Sequence, residues 1–201
     1  MMNYVRLERH IISVVLFCIA VSLAAAADEQ REAIDTQRSS LTVHVGKAGL
    51  LSAAAHEHWV DAPITSGRVD DGSATPGVRF TVDARRLSVK PEKGVSDKDQ
   101  AEVQSNMQSK VLESSTYPEI VFHSTQVRRT TDRVWKVSGD LTLHGVTRPV
   151  IVDVTRESDG YVGMVRIKQT DFGIQPIKIG GGVVKVKDEL EINFHVYTTS
   201  R

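Results

Sequence analysis

Residues 134–154 read VWKVSGDLTLHGVTRPVIVDV, and their alternation decides the fold. Trp135, Val137, Leu141 and Leu143 take turns with Lys136, Ser138, Asp140 and Thr142; further on, Val150, Val152 and Val154 take turns with Ile151, Asp153 and Thr155. A period of two belongs to a strand with one apolar face, and two such runs in succession predict a hairpin. His144-Gly145 forms the connection, where glycine supplies the positive φ that a tight hairpin loop requires.

The same pattern extends outward in both directions. Leu41, Val43 and Val45 predict a first strand, and residues 62–71 a second, closed by the turn composition Asp70-Asp71-Gly72-Ser73. Val78, Phe80, Val82 and Ala84 alternate with Arg79, Thr81 and Asp83, and Ile120 and Phe122 resume the pattern after Pro118. Beyond the hairpin, Val165 and Ile167 oppose Arg166 and Lys168. In the last run Val184, Val186, Leu190, Ile192, Phe194 and Val196 hold the even positions, with Asp188 as the one interruption, against Lys185, Lys187, Glu189 and Glu191. That mixed-sign face reads as the wet outside of a strand. Residues 48–59 are alanine-rich and read as a short helical or irregular segment.

One stretch has a different period. Val103, Met107 and Val111 fall four apart among Gln100, Gln104 and Gln108, which predicts an amphipathic helix over 97–112. Ser96 is placed to cap it, Asp97 and Asp99 suit the positive end of the helix dipole, and Pro118 forbids its continuation. About eight strands and one inserted helix give an all-β chain, read as a single antiparallel sheet closed into a barrel; a two-sheet sandwich shares the same periodicity.

Of the 201 residues, the first 27 read as a signal peptide for export and the remaining 28–201 as one domain. Arg6 and Arg9 precede an apolar run, 11–23, that is shorter than the roughly 20 residues needed to cross a bilayer. The run ends in Ala24-Ala25-Ala26-Ala27, so the expected location is periplasmic or secreted, with no stable membrane anchor after cleavage. Cys18, the single cysteine, lies within that run, which leaves the mature chain without disulfides, thiolate ligands or a cysteine nucleophile. The mature part holds 23 basic and 24 acidic side chains, a balance that points away from nucleic acid and anionic membrane surfaces.

The stretches Tyr117-Pro118-Glu119-Ile120-Val121-Phe122, Gly139-Asp140-Leu141-Thr142-Leu143-His144-Gly145-Val146-Thr147-Arg148-Pro149 and Asp171-Phe172-Gly173-Ile174 resemble the YceI-like family in order and spacing. The resemblance implies an exported, lipocalin-like β-barrel that binds polyisoprenoid lipid. The chain departs from the family pattern at Lys168-Gln169-Thr170, where an Asn-Arg pair is usual, and at the inserted His56-Glu57-His58.

No nucleophile elbow, phosphate-binding loop or metalloprotease spacing is present, so no catalytic residue, cofactor or enzyme activity is expected. Gly180-Gly181-Gly182 opens a strand and reads as a turn or bulge. The rival chemistry is a metal-binding or stress-response role for His56 and His58, with His144 as a further ligand; two loop histidines are the ordinary reading, and no metal site is assigned. Trp59 is expected to seal a barrel end. Ligand contacts are expected from the inward set: Phe80, Val82, Phe122, Trp135, Leu141, Leu143, Val150, Val152, Val165, Ile167, Ile192 and Phe194. A filled core acting as an interaction module is the alternative to a cavity. The expected partner is an isoprenoid lipid or quinone, and the sequence leaves the oligomeric state open, a homodimer included.

Overall fold

The computed structural model describes residues 32–48, 57–72, 75–179 and 184–199. The expected signal peptide, His56 and the triple glycine lie outside the described residues. The strands are β1 (Glu32–Ala33), β2 (Ser40–Ala48), β3 (His58–Asp61), β4 (Ile64–Asp70), β5 (Gly77–Asp83), β6 (Ser88–Val89), β7 (Glu119–Arg129), β8 (Val134–Leu143), β9 (Val146–Arg156), β10 (Gly160–Lys168), β11 (Lys178–Ile179) and β12 (Val184–Tyr197). One helix, α1 (Asp97–Asn106), stands between β6 and β7.

All strands join one antiparallel sheet in the order β1-β4-β5-β7-β8-β9-β10-β12-β2-β3-β6, with β11 on β12. β3 pairs with β2 near one end of this path, and β4 pairs with β5 near the other. Only Ala62 and Pro63 separate β3 from β4. A single bent run therefore belongs to both ends of the sheet, and the chain itself bridges the seam. Proline suits the bend because it has no N–H to offer a ladder. Counted this way, eight long runs form the wall, as the periodicity indicates; the extra strands β1, β6 and β11 have two residues each. One continuous sheet also rules out the two-sheet sandwich.

The deciding hairpin forms as expected, with β8 and β9 in register from Val134↔Thr155 to Leu143↔Val146. His144 (φ 51°) and Gly145 (φ 72°) both take positive φ, the requirement of the two-residue turn whose twist matches its strands. The odd positions of β8 and the even ones of β9 turn inward, leaving Ile151 62% exposed outside. Lys136 and Asp153, and Arg166 and Glu191, form cross-strand ion pairs at 2.7 Å on the outer face. In β12 the pairing with β2 slips between Val186 and Leu190. Asp188 sits in that bulge and accepts from the Thr170 N–H (2.9 Å) and hydroxyl (2.7 Å), which holds its carboxyl below the ordinary range.

Two expectations need correction. His58 and Trp59 belong to strand β3, not to an irregular segment, because His58↔Val45 and Trp59↔His44 pair them to β2, a partnership that local composition does not carry. The α-helix is shorter than 97–112: after Asn106 its last turn, Met107–Val111, widens, and Leu112 N–H donates to Met107 O at 2.9 Å, five residues back. Its start is as read, with Ser96 Oγ accepting from Asp99 N–H at 3.2 Å.

The helix is tied down by glutamines that the sequence reading set on its polar side. Gln104 accepts from Val89 N–H (2.8 Å) and donates to Leu87 O (2.9 Å), while Gln108 donates to Ala84 O (3.1 Å) and Leu87 O (3.0 Å). These bonds satisfy backbone groups of the 84–89 segment that lie outside the main ladder. Gln104→Ala leaves the Val89 N–H without its side-chain acceptor, while Leu87 O keeps its bond from Gln108, and is expected to lower stability by about 1–3 kcal/mol in urea titration. Faster amide exchange at Val89 checks that the loss arises there.

Candidate functional site

The inward faces of the wall enclose a cavity of about 350 Å³. Alternation along each strand delivers its lining, so all twelve residues of the inward set lie on the wall. Val82 (2% exposed) and Phe122 (6%) are buried outright, and Phe80 and Phe122 meet at 5.4 Å between ring centres. The helix side of the wall comes from Val103, Met107 and Val111, the apolar stripe that identified the helix. The inward set also omits Leu41, Val43 and Leu190, although each shares the parity of its strand's inward positions.

Glycine makes room where an aromatic ring crosses the wall. A methyl group at Gly139 would stand 2.5 Å from Cζ of Phe122 and 2.7 Å from the His123 carbonyl oxygen. Gly139→Ala must push that ring toward the lumen, with an expected loss of about 1–3 kcal/mol. Denaturation should record the loss, and native mass spectrometry should show reduced uptake of apolar ligand.

The few polar residues on the wall divide between its ends. At the helix end are His58, Asn106 and Gln169. His58 Nδ1 lies 3.6 Å from Glu92, and Gln169, 4% exposed, donates from Nε2 to Lys187 O at 2.7 Å. Gln169 falls in the Lys168-Gln169-Thr170 departure. At the far end are Asp70, Asp71 and Tyr161. Tyr161 hydroxyl donates to Asp71 Oδ2 at 2.5 Å, and Arg156 Nη1 stands 3.1 Å from the same oxygen. Burial, and then the hydrogen bond to the Asp71 carboxylate, push the Tyr161 phenol well above its ordinary value, so it remains a neutral donor. Sequence reading took Asp70 and Asp71 for turn residues and missed Tyr161. The available signal was parity, since Tyr161 shares odd numbering with Val165 and Ile167 on β10.

The histidines are distributed around the barrel. His44 is on the outer face of β2, stacked on Trp59 at 4.5 Å, with Nε2 3.1 Å from Glu57. Trp59 is 43% exposed there and does not seal a barrel end, because the pleat directs its neighbours His58 and Val60 into the lumen instead. His144, in the hairpin turn, bonds through Nε2 to Glu113 at 2.9 Å and packs on Tyr117. Among the described residues no group of three His, Cys, Asp or Glu stands where it could hold one metal ion.

An antiparallel barrel with a helix packed along one end and an apolar lumen defines a class, that of the barrels built around an internal cavity. Within that class the chain belongs to the YceI-like domain family, whose model matches residues 33–198. A UPF0312 protein of Pseudomonas savastanoi pv. phaseolicola is 34% identical over 93 residues, 41% of this chain and 46% of that protein. One from Vibrio cholerae is 30% identical over 113 residues, 51% of this chain and 55% of its own. The matched region thus spans about half the length of these curated relatives. Among solved structures, BcnA of Burkholderia cenocepacia superposes with a TM-score of 0.59 at 19% identity, covering 83% of this chain and 99% of that one. A polyisoprenoid-binding domain from Saccharophagus degradans gives 0.58 at 14% identity, covering 86% and 99%. These likenesses show that the fold is shared.

Proposed function

We propose that this protein is an exported carrier that holds a long isoprenoid chain, of polyprenyl or quinone type, inside the barrel, and that it is a binding protein and not an enzyme. The observation that carries this reading is the cavity: about 350 Å³ with a wall of aliphatic and aromatic side chains. That volume falls in the range of single-ligand pockets, roughly 300–1,000 Å³. Each methylene moved from water into such a lumen contributes about 0.8 kcal/mol, so a branched hydrocarbon tail binds without any catalytic group. The twelve inward residues are assigned to the tail. The shared fold of the domain described as polyisoprenoid-binding supports the choice of lipid, and the character of residues 1–27 supports export.

Native mass spectrometry of the protein from its own cell envelope, with solvent extraction of whatever is released, tests the reading. A stoichiometric isoprenoid is the expected result. A protein that stays apo when quinone and polyprenyl lipid are both supplied has a filled core, and the carrier reading fails.

A further inference from the structure

The composition of the cavity wall bears on the head group. Among the described residues that line it there is no lysine and no arginine, but there are two aspartates, both at the end opposite the helix. Phosphate esters are held by cationic side chains, or by N–H groups converging at a helix N-terminus. Here the start of α1 is already capped by Ser96 and carries Asp97 and Asp99. At the helix end of the wall, Gln169 donates to Lys187 O and His58 faces Glu92.

The far end shows acceptors. The Tyr161 O–H donates to Asp71, so the phenol oxygen can still accept through its lone pairs. Both contacts to Asp71, from Tyr161 and Arg156, fall on Oδ2, which leaves Oδ1 able to accept. Arg156 is engaged with Asp71 and is not itself on the wall, and Glu32 adds a further negative charge that acts on Tyr161. A second observation points to a ligand at the same end. Trp135, which pairs with Val154 near the mouth formed by Val134 and Thr155, has a buried indole N–H with no acceptor among the described residues. Trp135 is on the cavity wall. A head-group hydroxyl can accept from an indole N–H and can donate to a carboxylate or phenol oxygen.

We propose that the barrel selects uncharged isoprenoids whose head group donates a hydrogen bond, an alcohol or a hydroquinone, and turns away their phosphorylated counterparts. This rests on the lipid-carrier reading. Asp71, Tyr161 and Trp135 are the residues assigned to the hydroxyl.

The test uses delipidated full-length protein and ligands with a common tail: geranylgeraniol, its methyl ether and its diphosphate, titrated by calorimetry. A hydrogen bond to a charged acceptor, with exclusion of a like charge, predicts that the alcohol binds about tenfold more tightly than either derivative. Asp71→Asn, which keeps the shape and removes the charge, is expected to narrow the gap between alcohol and diphosphate severalfold. A short-tailed quinone compared with its hydroquinone distinguishes the two sources of the hydroxyl, with the hydroquinone expected to bind more tightly if it is the natural form. A diphosphate that binds as well as the alcohol, or an ether that does, overturns the proposal while leaving the carrier reading intact. Failure of all the ligands to bind overturns the carrier reading itself. The ligand series on the unaltered protein gives these outcomes without relying on any variant's folding.

Discussion

Phe172→Ala is expected to unfold at a temperature lower by roughly 6–20 °C and still to carry its ligand below that temperature. Phe172 is 1% exposed and belongs to the core, but it is not on the cavity wall. It closes a short turn, Gln169–Phe172, followed by Gly173 at φ 74° and by Ile174, 2% exposed. The turn is pinned on several sides. Arg148 Nε donates to Asp171 O at 2.9 Å, Thr170 is fixed to Asp188, and Ile174 N–H donates to Gln169 O at 3.1 Å. A pinned turn has little freedom to collapse into the space left by the ring, so the full phenylalanine-to-alanine loss of about 3–5 kcal/mol is expected. At about 2–4 °C per kcal/mol for a chain of this size, that gives the shift stated. Thermal unfolding followed by circular dichroism measures it. A shift below about 3 °C would show that the turn relaxes around the vacancy.

Phe194→Asp should abolish lipid retention, and its stability should fall as pH rises. Phe194 sits in the wall, its ring against Gly163 of the paired strand β10. An aspartate there meets aliphatic neighbours, and desolvation raises its pKa in the folded state above the unfolded value of about 3.9. A raised folded pKa means that the protonated form is the one tolerated. The variant is therefore most stable below pH ~4 and loses about 1.4 kcal/mol per pH unit as pH climbs toward the folded pKa. Phe194→Asn supplies the comparison, since it loses packing without the pH slope. Urea titrations between acid and neutral pH separate the two, and extraction of the purified variants reports the cargo. Equal slopes would mean that the aspartate reaches water, and that the lumen is wetter than its lining implies.

Most of the barrel was legible because strand alternation is a local signal that survives folding. The hairpin at His144-Gly145, the inward parity of β8, β9, β10 and β12, and the Ser96 cap each follow from neighbours in the sequence. What was not legible depends on partners far along the chain. Trp59 looks like a plug from its composition, and only pairing with β2 turns it outward against His44. Gln104 and Gln108 read as a polar helix face, yet they serve backbone groups 15 to 24 residues away. Asp188 looked like a flaw in the last strand and is the fixed point of a bulge, visible only once Thr170 is beside it. Tyr161 and Asp71, 90 residues apart, meet because β4 ends and β10 begins at the same rim. The apolar part of the site followed from parity, whereas its polar end required the closed ring.

The short strand β1 has a practical consequence for anyone attaching a reporter to this domain. Asp35 N–H donates to Tyr197 O at 2.9 Å and Thr199 N–H to Ala33 O at 2.8 Å, so the first and last described segments are spliced side by side. They leave the barrel at the rim that holds Tyr161 and Asp71, since Gly160 and Tyr161 pair with Tyr197 and Val196. A fluorophore or fusion protein joined to either segment is parked over that rim and shades it. The helix end, with the His144-Gly145 turn pointing away, is the handle for immobilising the domain while the opposite rim stays open to titrant.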